Sequence, residues 1–200
     1  MKGCVFLHVT GEYWIKFLKE EDCIPSASRF WVYFYEFLTS FRNAVIIIFI
    51  IFSFVARPVL VDGKSMLPTL QNNDWILLSE ARGSVQRGEI IVILQPNKFD
   101  EQLIKRVVAV SGDKIDIDFD SGNVYLNDEL LHEPYLNEKT LTGFDVDFPL
   151  TVEDGHVFVM GDNRNNSLDS RSSEIGLVEN RFILGKAKFR IFPFSGKDIY

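Results

Sequence analysis

The chain predicts a mostly β domain preceded by one membrane-spanning helix. Three observations lead there. An apolar run lies near residue 50, short apolar or alternating segments separated by turn residues follow from residue 59, and 46% hydrophobic with 24% charged residues is an ordinary globular composition. Two hundred residues allow one domain of usual size plus a smaller addition, since domains typically run to about 100–150 residues. The formal charge of −7 argues against a broad electrostatic grip on nucleic-acid phosphates. The surplus negative charge belongs to residues 61–200.

Residues 44–56, AVIIIFIIFSFVA, hold a single polar side chain, Ser53. As a helix this run covers only about 20 Å, short of a hydrocarbon core ~30 Å thick. The expected anchor is therefore residues 37–61, with Arg42 and Arg57 reaching the headgroups at its ends. The aromatic cluster Phe30-Trp31-Val32-Tyr33-Phe34-Tyr35 suits an interfacial belt or a separate amphipathic helix. A cleaved leader is opposed by the 43 residues before the run and by Arg57-Pro58 where small residues are expected. Lys2, Lys16, Lys19, Arg29 and Arg42 lie upstream, against Arg57 and Lys64 soon after, which favours a cytoplasmic segment at 1–36 and an exported domain at 62–200. Cys4 and Cys23 both precede the run and read as reduced thiols, so no disulfide staples the main domain.

Within that domain, residues 90–94 (IIVIL) predict a continuous apolar strand, and residues 103–110 another. Ile115, Ile117 and Phe119 alternate with Lys114, Asp116 and Asp118, and turns fall at Gly112-Asp113 and Ser121-Gly122-Asn123. Residues 157–160 form a further buried candidate, and Ala187, Phe189 and Ile191 alternate with Lys186, Lys188 and Arg190. The acidic, turn-rich stretch from about 114 to 154 reads as a smaller inserted lobe.

Three clusters carry candidate chemistry. Ser65 lies between Gly63 and Pro68, residues that fix tight backbone geometry, so its hydroxyl is presented rigidly with nearby amides available to an oxyanion, or simply caps a turn. Lys105 has strand neighbours Leu103, Val107 and Ala109, all apolar. Desolvation there lowers an amine's pKa toward a general base, unless the lysine sits on an edge strand and reaches water. Arg106 points to the other face and needs an acidic partner if buried. Asp162, Arg164, Asp169 and Arg171 form a charge network with Ser167 and Ser170 directly after the apolar strand. His8, His132 and His156 make no recognisable relay, and no zinc or phosphate-loop motif is present.

Together these clusters resemble the type I signal peptidases, membrane-bound serine proteases that remove signal peptides from exported preproteins. The family's boxes are matched by Ser65-Met66-Leu67-Pro68-Thr69-Leu70, by Ile104-Lys105-Arg106-Val107-Val108 with Gly112-Asp113, and by GDNRNNSLDSR at 161–171, and the similarity spans roughly residues 55–192. The resemblance implies a signal-peptidase-like β fold of coiled antiparallel sheets with a small inserted lobe. It implies Ser65 as nucleophile, Lys105 as general base, Ser167 as the serine orienting that amine, and Arg106, Asp162, Asp169 and Arg171 as supporting charges. Asp74 resembles another structural box. Gly63 stands where some members carry an oxyanion-binding hydroxyl, as in short Gram-positive forms, so the oxyanion is left to backbone amides including that of Ser65. No cofactor or metal is implied. The implied partners are signal peptides with small residues before the cut, membrane lipid and the secretion translocon, at the plasma membrane. Processing of pilus or conjugation proteins, a self-cleaving repressor and a non-catalytic tethered β module are the alternatives.

Overall fold

In a computed structural model, residues 26–54, 57–79, 84–95 and 101–193 are described. Cys4, Cys23 and His8 lie outside them. The chain divides into two units, Met1–Ile50 and Ile51–Tyr200.

The helix α1, Ser26–Phe54, runs 29 residues without an internal proline or glycine. Aromatic rings four residues apart stack along it, Phe30 on Phe34 at 6.1 Å and Phe37 on Phe41 at 6.3 Å. Its Phe30–Ile50 stretch is long and apolar enough to cross a membrane. The helix differs from the expected 37–61 at both ends. It takes in the aromatic cluster, and residues 57–60 are not helical but form the strand β1, Arg57–Leu60. Pro58 explains the second difference, because its ring and missing N–H oppose helix continuation while an edge strand tolerates both.

The second unit holds two antiparallel sheets. The larger comprises β1, β2 (Trp75–Ser79), β3 (Ile90–Gln95), β4 (Glu101–Val110), β9 (His156–Met160), β10 (Val178–Glu179) and β11 (Ile183–Phe192), in the order β1-β2-β11-β3-β4-β9-β10. The smaller is built from β5 (Lys114–Asp118), β6 (Asn123–Leu126), β7 (Glu129–Leu130) and β8 (Leu150–Thr151), in the order β7-β6-β5-β8. The continuous apolar run of β3 follows from burial on both faces: Ile90 and Val92 join Met66, Leu70 and Ile76 in one core, while Ile91 and Ile93 join Val107 and Val159 in another. Ile115, Ile117, Val124 and Leu126 bury the inner face of the small sheet against Phe158 and Met160. The strict alternation in β11 is broken by register shifts between Ala187 and Phe189 and between Arg190 and Phe192. Phe189 is consequently exposed, and Lys186 is buried with its amine 2.7 Å from Glu89.

Two features of the large sheet prepare the site. Among the described residues the strand β1 pairs only with β2, leaving its other edge without a described partner strand. The strand β4 pairs with β9 only from Arg106 onward, so among the described residues its preceding part has β3 on one side and no strand on the other. Although four places apart in sheet order, both strands line one pocket of about 100 Å³, together with Gly63, Ser65 and Met66. The sheet therefore coils.

Candidate active site

Ser65 is carried by a turn between β1 and β2 that is anchored on both sides. Gly63 adopts φ +105°, accessible chiefly to glycine, and donates its amide to Asn72 Oδ1 at 2.8 Å. Beyond the serine, Met66 and Leu70 are fully buried and joined by a 2.9 Å backbone bond. Burying those two apolar side chains leaves Ser65 facing the pocket.

Lys105 is 3% exposed and donates from Nζ to Ser65 Oγ at 2.9 Å. Burial pushes its pKa down from 10.5 to about 8; the field of Asp169 opposes the shift, Arg171 reinforces it and Asp162 opposes it. A usable fraction of neutral amine thus exists near neutral pH, in hydrogen-bond contact with an alcohol. Such a pair can move the alcohol's proton to nitrogen as the oxygen attacks a carbonyl. Among the described residues no backbone acceptor is bonded to the Ser65 amide.

The charged residues around the pair are almost fully buried and mutually satisfied. Arg106 donates to both carboxylate oxygens of Asp162 at 2.8 Å and to the Gly88 carbonyl at 2.7 Å, and its guanidinium lies 4.0 Å over the Tyr135 ring. The Thr69 hydroxyl also donates to Asp162. Arg171 binds Asp169 at 2.8 and 2.9 Å and donates to the carbonyls of Arg164, Ser167 and Thr142. Asp169 in turn accepts from the Gly161 amide at 3.0 Å. Charges removed from water are tolerable only when paired and hydrogen-bonded in this way. Asp74 accepts from the Gln71 amide and pairs with Arg190, bracing the end of the Ser65 turn.

The expected hydrogen bond between Ser167 and Lys105 is not formed. Ser167 Oγ is buried without a partner among the described residues. It packs against the bare Cα of Gly161, where an added Cβ would lie 2.2 Å from it. Lys105 directs its bond to Ser65 instead.

Residue patterns gave no role to several groups from the inserted lobe and its return to β9. Glu133 pairs with the buried Arg164, Thr140 accepts a further bond from that guanidinium at 2.8 Å, and Tyr135 donates to Glu133. The available signal was the sequence Glu133-Pro134-Tyr135, an acid and an aromatic around a proline in a turn-rich stretch.

Fold and site define a class: β proteins in which a strand lysine, stripped of water, meets a serine hydroxyl presented by a tight turn. The chain belongs to the family described as signal peptidase, peptidase S26, whose model matches residues 34–192. It is 38% identical over 163 residues to signal peptidase I S of Bacillus subtilis, covering 76% of this chain and 85% of that protein. It is 34% identical over 178 residues to signal peptidase IB of Staphylococcus aureus, covering 80% and 90% respectively. A solved structure of signal peptidase I from Enterococcus faecalis is 30% identical at a TM-score of 0.42, covering 52% of this chain and 97% of that one.

Proposed function

We propose that this protein is a membrane-bound serine endopeptidase that removes N-terminal signal peptides from exported preproteins, with Ser65 as nucleophile and neutral Lys105 as general base. The observation that carries the reading is the 2.9 Å contact between a buried amine and a serine hydroxyl at the wall of an open pocket. Lys105 takes the Ser65 proton as Oγ attacks the scissile carbonyl, and returns it to the leaving amine. The tetrahedral oxyanion is met by backbone amides, that of Ser65 included, and water activated by the same lysine then hydrolyses the acyl-enzyme. Arg106, Asp162, Asp169 and Arg171 hold the loops that carry these groups, and Ser167 packs beside them.

The free edges of β1 and of the first half of β4 suit an extended peptide added as a strand, with its small side chains entering the pocket between them. That arrangement favours preprotein segments with small residues before the cut. The apolar stretch of α1 anchors the protein as a single span in the plasma membrane, with a cytoplasmic N-terminus and the peptidase unit outside, beside lipid and the translocon. Membership of a signal peptidase family supports this substrate class.

The test is cleavage of a labelled precursor by purified protein. The wild type should release the mature product, whereas Ser65→Ala and Lys105→Met should lose more than about 10³-fold in kcat with unchanged folding. Undiminished activity in either variant would refute the assignment.

A further inference from the structure

We propose that Asn163 is a positioning residue that aims the Ser65 amide at the developing oxyanion. The inference rests on the proposed role of Ser65.

Asn163 grips the nucleophile's turn twice. Its side-chain Nδ2 donates to the Lys64 carbonyl at 3.0 Å, and its own amide donates to the Ser65 carbonyl at 2.9 Å. The first bond matters most, because the Lys64 carbonyl and the Ser65 N–H are the two ends of one planar trans peptide and point in opposite directions. Holding the oxygen, alongside the Leu67 amide that donates to it at 3.2 Å, fixes the direction of the N–H at the other end of the peptide. The second bond holds the peptide on the other side of Ser65, so both hinges of that residue are constrained by one neighbour.

Asn163 is itself tightly placed. Its predecessor Asp162 is bound to Arg106, and Gly161 approaches so closely that an added Cβ would lie 2.5 Å from the Ser65 carbonyl oxygen. Asn163 has φ −85° and ψ 73°, and its backbone carbonyl accepts the Asn166 amide at 2.9 Å. The side chain is thereby left to bind the Lys64 peptide. An asparagine suits the task because its amide donates to a carbonyl, which a carboxylate of the same shape cannot do.

The experiment compares wild type with Asn163→Ala and the isosteric Asn163→Asp, and includes Ser65→Ala. Cleavage is measured together with the affinity of a substrate-like peptide aldehyde and of the corresponding peptide alcohol. With the aldehyde, the Ser65 O–H adds across the C=O to give a hemiacetal whose former carbonyl oxygen occupies the oxyanion position; the alcohol fills the same pocket without it. Losing one oxyanion donor costs about 10²–10³ in kcat, so misaiming one is expected to cost about 10- to 100-fold. We expect that loss in kcat at unchanged KM in both variants. We also expect weaker aldehyde binding with unaltered alcohol binding, and for Asn163→Ala an unchanged pH midpoint of activity.

Wild-type kcat in either variant, or equal losses for aldehyde and alcohol, would overturn the proposal. Loss of the cooperative melt in both variants would overturn it too, by making the residue structural. If wild type fails to cleave, or Ser65→Ala cleaves undiminished, the peptidase reading falls and takes this inference with it. Retained kcat in the Asn163 variants with both controls in order overturns this inference alone.

Discussion

A lysine ammonium with 3% exposure is expensive to keep charged, and that expense lowers the Lys105 pKa, as the proposed base role requires. Its folded pKa of about 8 lies below the 10.5 of an exposed amine, so between those values the unfolded chain binds more protons than the folded one. Stability therefore rises with pH across that window, and below it the buried charge costs about 3 kcal/mol. Activity should rise with pH in the same sense, reaching half its maximum near the Lys105 pKa of about 8. Lys105→Met, expected to be inactive, should be more stable than wild type by up to ~3 kcal/mol at pH 7, with the advantage shrinking toward pH 10. Denaturant melts at the two pH values check this. Gly161→Ala probes the same spot sterically, since its methyl would lie 2.2 Å from Ser167 Oγ and 2.5 Å from the Ser65 carbonyl. A loss of about 1–3 kcal/mol in stability and of more than about 10²-fold in kcat is expected, read from thermal melts and steady-state cleavage.

At the level of elements, β4 makes two separate contacts from adjacent residues because successive strand side chains point to opposite faces. Lys105 reaches Ser65, whereas Arg106 reaches Asp162 in the loop after β9. The ion pair ties the strand of the amine to the loop that also carries Asn163 and Ser167. Asp162→Ala should cost about 3–5 kcal/mol by stranding a buried guanidinium, while the double replacement Arg106→Met with Asp162→Leu should recover most of that stability. A double-mutant cycle in denaturant measures both. If the pair also holds the loop in register, the double variant stays slow in precursor cleavage despite its restored stability, because apolar packing does not reproduce bidentate geometry. Arg164 extends the scheme to the inserted lobe, where Glu133 and Thr140 bind its guanidinium.

For the whole molecule, the proposed function assigns separable tasks to the apolar helix and the β unit. The cores, both sheets and the Ser65–Lys105 contact lie within Ile51–Tyr200. A chain lacking residues 1–54 should keep a cooperative melt and cleave a soluble signal-peptide substrate within about tenfold of the full chain. It should lose sedimentation with membranes and cleave a bilayer-inserted precursor about 10²-fold more slowly, since tethering raises effective concentration. Flotation and a side-by-side cleavage assay in vesicles check both statements.

The fold class, the presence of a long apolar helix and the residues of the Ser65 and Lys105 clusters were legible in the sequence, because apolar periodicity and short motifs are local properties of the chain. The helix bounds were less so: an apolar run marks a helix's centre, whereas its end was decided by Pro58 and by pairing of β1 with β2. Only tertiary structure could bring an amine and a hydroxyl 40 residues apart to 2.9 Å, or take the amine out of water so that it titrates near pH 8. The same holds for Glu133 against Arg164, for the bulge that turns Phe189 outward, and for Ser167 packing on Gly161 instead of bonding Lys105. The amino-acid order specifies which groups are available, but desolvation and hydrogen-bond geometry depend on neighbours distant in the chain, and these lower the pKa of an otherwise ordinary lysine and set it against a hydroxyl.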